Sequence, residues 1–276
     1  MITISLMGGL GNQLFQIFTL ISYCLKNNNL FVLEKRDVLY GPIRNYDVYW
    51  DNMFKQITKH CKKREFKFPR WREPYFHYSI IPTFNKTQHI SLWGYFQSYK
   101  YFEKNFGQIS DLLKISDMKC DLKKKTNVDY KNTISIHFRV GDYKLLQQNH
   151  PLMTAEYYIK SIYNIANMTN REDWNILYFY EENDKIHVDK IMNKIKEIFK
   201  NITYTEVNHK LKDWEQMLQM SLCHHNIIAN SSFSWWGAYL NNSFDDKIVC
   251  YPRVWFGPAL IDKNTNDLFP RTWIKI

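Results

Sequence analysis

Ile134-Ser135-Ile136-His137-Phe138-Arg139-Val140, closed by Gly141-Asp142-Tyr143, is the stretch whose reading decides the fold. Side chains alternate between the two faces of a strand. Ile134, Ile136, Phe138 and Val140 therefore share one face, which can seat against a core. Ser135, His137 and Arg139 share the other. A seated strand rarely carries arginine unless an anion meets it. The guanidinium fork matches a phosphate or a carboxylate. The strand alone leaves two partners open for Arg139: the phosphate of a ligand, or an internal Asp or Glu.

Downstream of this strand, helical and strand patterns alternate. Thr154 is a candidate N-cap, with Glu156 in the first turn where the helix dipole favours it. Tyr158, Ile159, Ile162, Ile165 and Ala166 mark the core side of that helix. Ile176–Tyr180 reads as a strand, and Ile186, Ile191, Ile195, Ile198 and Phe199 as a helical face. Tyr204–Val207 is a short strand, Trp214–Ser221 a helix, Asn226–Ala229 a strand, and Lys247–Tyr251 the expected last strand, stopped by Pro252. Such alternation predicts a parallel sheet. Its ligand site lies beyond the carboxyl ends of the strands. Three segments end there: Arg139-Val140-Gly141-Asp142, Tyr180-Glu181-Glu182 and Asn230-Ser231-Ser232-Phe233. The last runs into a helix N-terminus, where hydroxyls and free amides suit a phosphate. A plain N-cap accounts for one of its two adjacent serines and leaves the other unexplained.

The N-terminal half starts as an α/β unit. Ile2–Leu6 is a strand, Gly8-Gly9-Leu10-Gly11-Asn12-Gln13 a glycine-rich loop, and Leu14, Ile17, Phe18, Ile21 and Leu25 fall at helical spacing. Asn27-Asn28-Asn29 ends that helix and Leu30–Leu33 is a second strand. Gly9 and Gly11 match the first half of a dinucleotide fingerprint, but Leu14 stands where its third glycine belongs, and Glu34 is a loose match to the acidic residue. An NAD(P)-dependent oxidoreductase is thereby the remote alternative. From Tyr40 to Pro82 the pattern is irregular, with a basic stretch from Lys59 to Arg72. The polar run from Lys119 to Asn132 is the expected boundary, giving halves 1–127 and 128–276, with the final segment able to pack back on the first.

The chain has 276 residues, 45% of them apolar, enough for one large or two medium domains. A formal net charge of +10 favours anionic partners. A basic protein that binds nucleic acid or glycan without catalysis fits that charge, yet no nucleic-acid motif accompanies the basic stretch. Cys24, Cys61, Cys120, Cys223 and Cys250 are scattered and odd in number, which argues against a zinc ribbon or disulfide framework and for a reducing, cytoplasmic compartment. The opening apolar run is broken early by glycines and lacks a basic flank, so neither a signal peptide nor an integral membrane segment is expected.

Four blocks together resemble one family. Gly8-Gly9-Leu10-Gly11-Asn12-Gln13-Leu14-Phe15-Gln16 is similar to the N-terminal signature of the α-1,2-fucosyltransferases of glycosyltransferase family 11. Gly94-Tyr95-Phe96-Gln97-Ser98 with Tyr101-Phe102 resembles a second block. His137-Phe138-Arg139-Val140-Gly141-Asp142-Tyr143 resembles the H-x-R-x-G-D motif that this family shares with protein O-fucosyltransferases and α-1,6-fucosyltransferases. Asn226 to Leu240, through Asn230-Ser231-Ser232-Phe233-Ser234-Trp235-Trp236, resembles the last. They run in order from residue 8 to about residue 240.

The resemblance implies a GT-B-like α/β fold of two Rossmann-like halves with the active site in the cleft between them. It implies an inverting transfer of L-fucose from GDP-fucose to a galactose-type hydroxyl, O2 by family, with no metal and no cofactor beyond the nucleotide sugar. The partners are then a nucleotide sugar and an oligosaccharide acceptor. Carried over, Arg139 holds the pyrophosphate, His137 and Asp142 order its loop, and Ser231, Ser232 and Phe233 close over the phosphates. Asn12 faces the transfer point, and Gly9, Gly11 and Gln13 accompany it on the donor. No D-x-D sequence occurs. One departure matters: the family's Ser-Asp-Asp-like sequence is replaced by Tyr180-Glu181-Glu182. These glutamates are candidates to read the nucleotide base, and other GDP- or UDP-linked 6-deoxy sugars remain open. His137, Asp142, Glu181 and Glu182 are all candidates for the general base.

Overall fold

A computed structural model of the chain describes residues 1–41 and 43–276 and divides them into two compact units. The first is Met1–Met118 with Lys263–Pro270, the second Lys119–Asp262 with Arg271–Ile276.

In the first unit, β1 (Ile2–Ile4) leads through the glycine loop into α1 (Leu10–Asn27). The helix forms where the apolar spacing predicts it, with Leu14, Ile17 and Phe18 wholly buried. Asn28, in the left-handed conformation at φ 52°, ends it. Three two-residue strands follow, β2 (Leu33–Glu34), β3 (Val38–Leu39) and β4 (Tyr46–Asp47), and then β5 (Cys61–Lys62), which pairs with β2. β6 (Arg70–Arg72) and β7 (Ile90–Trp93) complete a parallel sheet in the order β1-β7-β6.

β6 lies in the stretch read as irregular; Pro42, also in that stretch, lies outside the described residues. An Arg-Trp-Arg strand with both arginines exposed shows no apolar alternation, and charge of this kind protects a sheet edge. α2 (Phe106–Leu112) and α3 (Ile115–Lys125) follow. The division between units falls inside α3, upstream of residue 127, because the lysine run taken for a linker is the helix's last turn, where cations complement the dipole. The returning segment 263–270 joins the first unit: Asp267 pairs with Lys100, and its carbonyl accepts from Ser98 Oγ at 2.6 Å.

The second unit is a six-stranded, wholly parallel sheet. Its elements are β8 (Thr133–His137), α4 (Ala155–Thr169), β9 (Asn175–Phe179), α5 (Lys185–Ile198), β10 (Tyr204–Glu206), α6 (Asp213–Met220), β11 (His225–Ile227), α7 (Ser232–Tyr239), β12 (Val249–Tyr251) and β13 (Ile274–Lys275). The order is β10-β9-β8-β11-β12-β13. Ile134, Ile136, Phe138 and Val140 enter one core cluster with Tyr158, Ile162, Ile165, Ile176 and Ile195.

The opposite face of β8 is covered too: Ser135 and His137 are buried, as befits an interior strand of a parallel sheet with both faces packed. Ser135 Oγ accepts from Asn226 Nδ2 at 2.7 Å, so that position is satisfied internally. The strand stops at His137, which leaves Arg139 in the loop beyond its carboxyl end. β13, not β12, is the outermost strand; two residues at the chain terminus are too short to announce themselves. Thr154 occupies the N-cap position of α4 without a side-chain cap bond. Ile186 is 78% exposed rather than core, while Ile191 and Ile195 hold α5 to the sheet.

Candidate active site

The loop after β8 is tightly held. Gly141 N–H donates to Asp184 Oδ2 at 2.7 Å, and Lys144 Nζ donates to Asp184 Oδ1 at 2.8 Å. Asp184 is 3% exposed and sits at the end of the short turn that follows β9. Gly141 itself has φ +32°, and a Cβ there would stand 3.0 Å from Arg139 Nη1 and 3.3 Å from Glu181 Oε2. Only glycine combines that backbone with so close a guanidinium.

Arg139 pairs with Asp142 from its own loop and with Glu181 from the end of β9. Its guanidinium lies 4.7 Å from the centre of the Tyr143 ring. Of the two partners open to it from the strand, internal carboxylates are thus the ones in contact. The two pairs differ in kind. The Asp142 side chain is 19% exposed, whereas Glu181 is 50% exposed, and a half-solvated ion pair contributes only about 0–1 kcal/mol. The Glu181 side of the fork is therefore easily yielded to a more highly charged anion.

His137 is buried, and its ring lies 5.5 Å from that of Phe233. Its carbonyl accepts from Tyr158 Oη at 3.0 Å, while its ring Nδ1 is buried with no protein partner. Burial, reinforced by Arg139, holds its pKa down to about 3. The imidazole is neutral throughout the physiological range. With its pKa held so low, the uncharged ring is a hydrogen-bonding group and only a weak proton acceptor.

Ser231 is the N-cap of α7, its Oγ accepting from Phe233 N–H at 3.3 Å. Ser232 and Phe233 follow in the first turn, both half-buried. Tyr143 Oη donates to the Asn230 carbonyl at 3.2 Å, tying the arginine loop to the serine loop. The carboxyl edge of this sheet thus brings together His137, Arg139, Asp142, Glu181, Ser231, Ser232 and Phe233. Glu182 is exposed in the turn after β9, outside the Arg139 ion pairs. From the sequence, Asp184 stood only in Glu182-x-Asp184, the nearest substitute for a metal motif; its hold on Gly141, 43 positions away, carries no local signal.

In the first unit, Gly9 is the N-cap of α1 in extended conformation, and Gly11 is buried in its first turn. Asn12 is half-buried, and its Oδ1 accepts from Gln97 Nε2 at 2.8 Å. Gln13, expected on the donor, is fully buried instead. Its Nε2 donates to the carbonyls of Gly8 at 2.9 Å and Asp47 at 2.8 Å, so its side chain braces the glycine loop from behind. Gln16 does the same for the second block, donating to the Gly94 carbonyl at 3.1 Å while accepting from Met7 N–H at 3.0 Å.

Among the described residues, no group of three His, Cys, Asp or Glu side chains is placed to hold a metal ion. None of the helices described is long and apolar enough to cross a membrane.

The arrangement has relatives. The chain is 30% identical, over 291 aligned positions, to an alpha-1,2-colitosyltransferase of Escherichia coli, an alignment covering 98% of this chain and 97% of the other. It is 31% identical over 196 positions to the O-antigen biosynthesis glycosyltransferase WbnK of E. coli, covering 67% of this chain and 60% of that one. Among solved structures, POFUT1 in complex with GDP matches 91% of this chain and 97% of its own, with a TM-score of 0.51 at 8% identity. That likeness is one of fold, an α/β fold of the GT-B type. The model of glycosyl transferase family 11 spans residues 1–276. With that match over every residue and a relative aligned end to end, the chain belongs to glycosyltransferase family 11.

Proposed function

We propose that the protein transfers L-fucose from GDP-fucose, with inversion and without a metal, to O2 of a galactose-type acceptor. The observation that carries this reading is the joining of Arg139 to the serine loop, through Tyr143 on Asn230 and through Phe233 against His137. Breaking a glycosyl–phosphate bond puts negative charge on the departing diphosphate. Arg139 meets that charge with its planar fork, and the first-turn amides of α7 meet it from the serine loop. Fixed donors of this kind do for the leaving group what a divalent ion does in other enzymes. Asp142 and Glu181 hold the guanidinium in place before the donor arrives, and the diphosphate displaces the solvated Glu181 contact. Glu181 and Glu182 are the carboxylates that accept from the two guanine N–H groups. Asn12, fixed by Gln97, belongs to the acceptor.

A second donor is favoured by a specific observation: the relative aligned end to end is a colitosyltransferase. Colitose is L-fucose without its 3-hydroxyl, so both donors present the same diphosphate and differ at one ring position.

A thermal-shift panel of GDP, UDP and ADP, followed by transfer assays with GDP-fucose and its 3-deoxy analogue, tests the reading. Stabilisation by GDP alone is expected, since a ligand at 100 times its Kd raises folding stability by about 2.7 kcal/mol. Selective stabilisation by UDP would overturn the donor. Transfer of the 3-deoxy sugar in preference to fucose would move the assignment to colitose.

A further inference from the structure

Glu73 follows directly on β6, at the carboxyl edge of the first unit's parallel sheet. The loops after β1 and β7 leave from the same edge; the first leads into α1, whose first turn carries Asn12, and the second carries the segment Gly94–Ser98. Glu73 Oε2 accepts from Phe96 N–H at 2.9 Å, and Oε1 accepts from Tyr101 Oη at 3.2 Å. Phe96 is a non-glycine residue at φ +53°, a conformation that needs outside support. A Cβ on Gly94 would fall 2.5 Å from both the Glu73 Cβ and its Oε2, so the carboxylate presses against bare backbone. This segment holds Tyr95 43% exposed beside a fully buried Phe96, and it places Gln97 on Asn12. Tyr46 flanks the glycine loop from the other side, 3.5 Å from where a Gly9 Cβ would stand. An exposed tyrosine beside a hydrogen-bonded carboxylate is the pairing that takes a sugar, ring on the aromatic face and hydroxyl on the acid.

The groups facing Glu73 are Tyr101, Tyr95 and, from the returning segment, Lys263. Burial raises the Glu73 pKa to about 7, against the hydrogen bonds from Phe96, Tyr101 and Tyr95 and the charge of Lys263. A carboxylate so poised suits proton transfer at neutral pH.

We propose that Glu73 takes the proton of the acceptor hydroxyl as that hydroxyl attacks the donor sugar. The proposal rests on the glycosyl-transfer reading above. The acceptor O–H bond breaks and its proton passes to the Glu73 carboxylate. The oxygen bonds to the anomeric carbon, the carbon–oxygen bond to the diphosphate breaks, and its electron pair leaves with the nucleoside diphosphate. Glu73 then returns the proton to water.

The test is the pH–rate profile of the full chain with GDP-fucose, or the nucleotide sugar the panel selects, and a galactose-terminated oligosaccharide. The wild type is expected to lose activity below pH ~7, and Glu73→Gln to lose that limb with kcat down roughly 10²–10⁴-fold while the acceptor KM changes little. Tyr101→Phe removes a bond that lowers the Glu73 pKa, so its limb moves to higher pH. GDP stabilises all three proteins alike. A Glu73→Gln enzyme that keeps the wild-type limb overturns the proposal, even if its Tm falls, since a purely structural role would leave the limb in place. If Glu73→Gln does not fold, an unmoved limb in Tyr101→Phe overturns it instead. A wild type that transfers no sugar refutes the functional reading first, and this proposal with it.

Discussion

Replacing Asp184 with alanine removes both anchors of the arginine loop at once. Gly141 N–H, 2.7 Å from the carboxylate, loses its acceptor, and Lys144, at 2.8 Å, loses its counter-charge. The two losses are unequal. A donor left without a partner in an enclosed site costs about 1–3 kcal/mol. Lys144 is 45% exposed, so water takes over much of the lost ion pair, and that part is about 0–1 kcal/mol. A combined loss of about 2 kcal/mol corresponds to a fall in Tm of roughly 4–8 °C for a unit of this size. The same loop carries Arg139, so affinity for GDP should drop about tenfold, the equivalent of ~1.4 kcal/mol. Asp184→Asn keeps one acceptor for Gly141 and forfeits only the charge, so it should fall between wild type and alanine in both measurements. Thermal melts with and without GDP, together with calorimetric GDP titrations, make the comparison. An alanine variant with wild-type Tm and GDP affinity would refute the reasoning. So would equal losses in the alanine and asparagine variants, which would mean that charge rather than the amide bond sets the loop.

Gly141→Ala forces φ +32° on a residue with a Cβ and pushes the Arg139 guanidinium aside, costing about 1–2 kcal/mol in stability and weakening GDP binding in titration. Ser231→Ala removes the α7 cap and should cost ~1 kcal/mol in urea unfolding, with a weaker GDP complex. His137 is depressed in the folded state to about 3 from its ordinary 6.5, so it stabilises above pH ~6.5 and loses that contribution as pH falls toward 3. Between pH 7 and pH 5 the wild type should therefore lose about 2 kcal/mol more stability than His137→Phe, and parallel pH curves for the two would contradict this.

How much of this was legible in the sequence varies with the kind of signal. The helix after the glycine loop and the alternation around Ile134 rest on periodicity, and both reappear as buried faces. The arginine and serine loops were legible as a pair because both follow strands and so end at the same edge of a parallel sheet. The partner of Ser135 was not legible, since Asn226 lies far along the chain and only the pairing of β8 with β11 brings its amide to the hydroxyl. β6 was hidden by its charged edge and β13 by its two-residue length. Gln13 looked like a ligand-facing amide, and only the tertiary structure shows it turned toward the Asp47 carbonyl. Glu73 carried no signal at all. It matters through Gly94, Phe96 and Tyr101, which lie more than twenty residues away in sequence.

Turnover of Arg139→Ala is the most direct measure of the central claim, that this arginine stabilises the departing diphosphate. With saturating donor and acceptor, the variant should fold, as GDP-free melts will show, and its kcat should fall by roughly 10²–10³-fold or more, the loss seen when one preorganised donor to a transition-state charge is removed. A kcat near that of the wild type would contradict the account and return Arg139 to the role of an internal ion pair with Asp142 and Glu181.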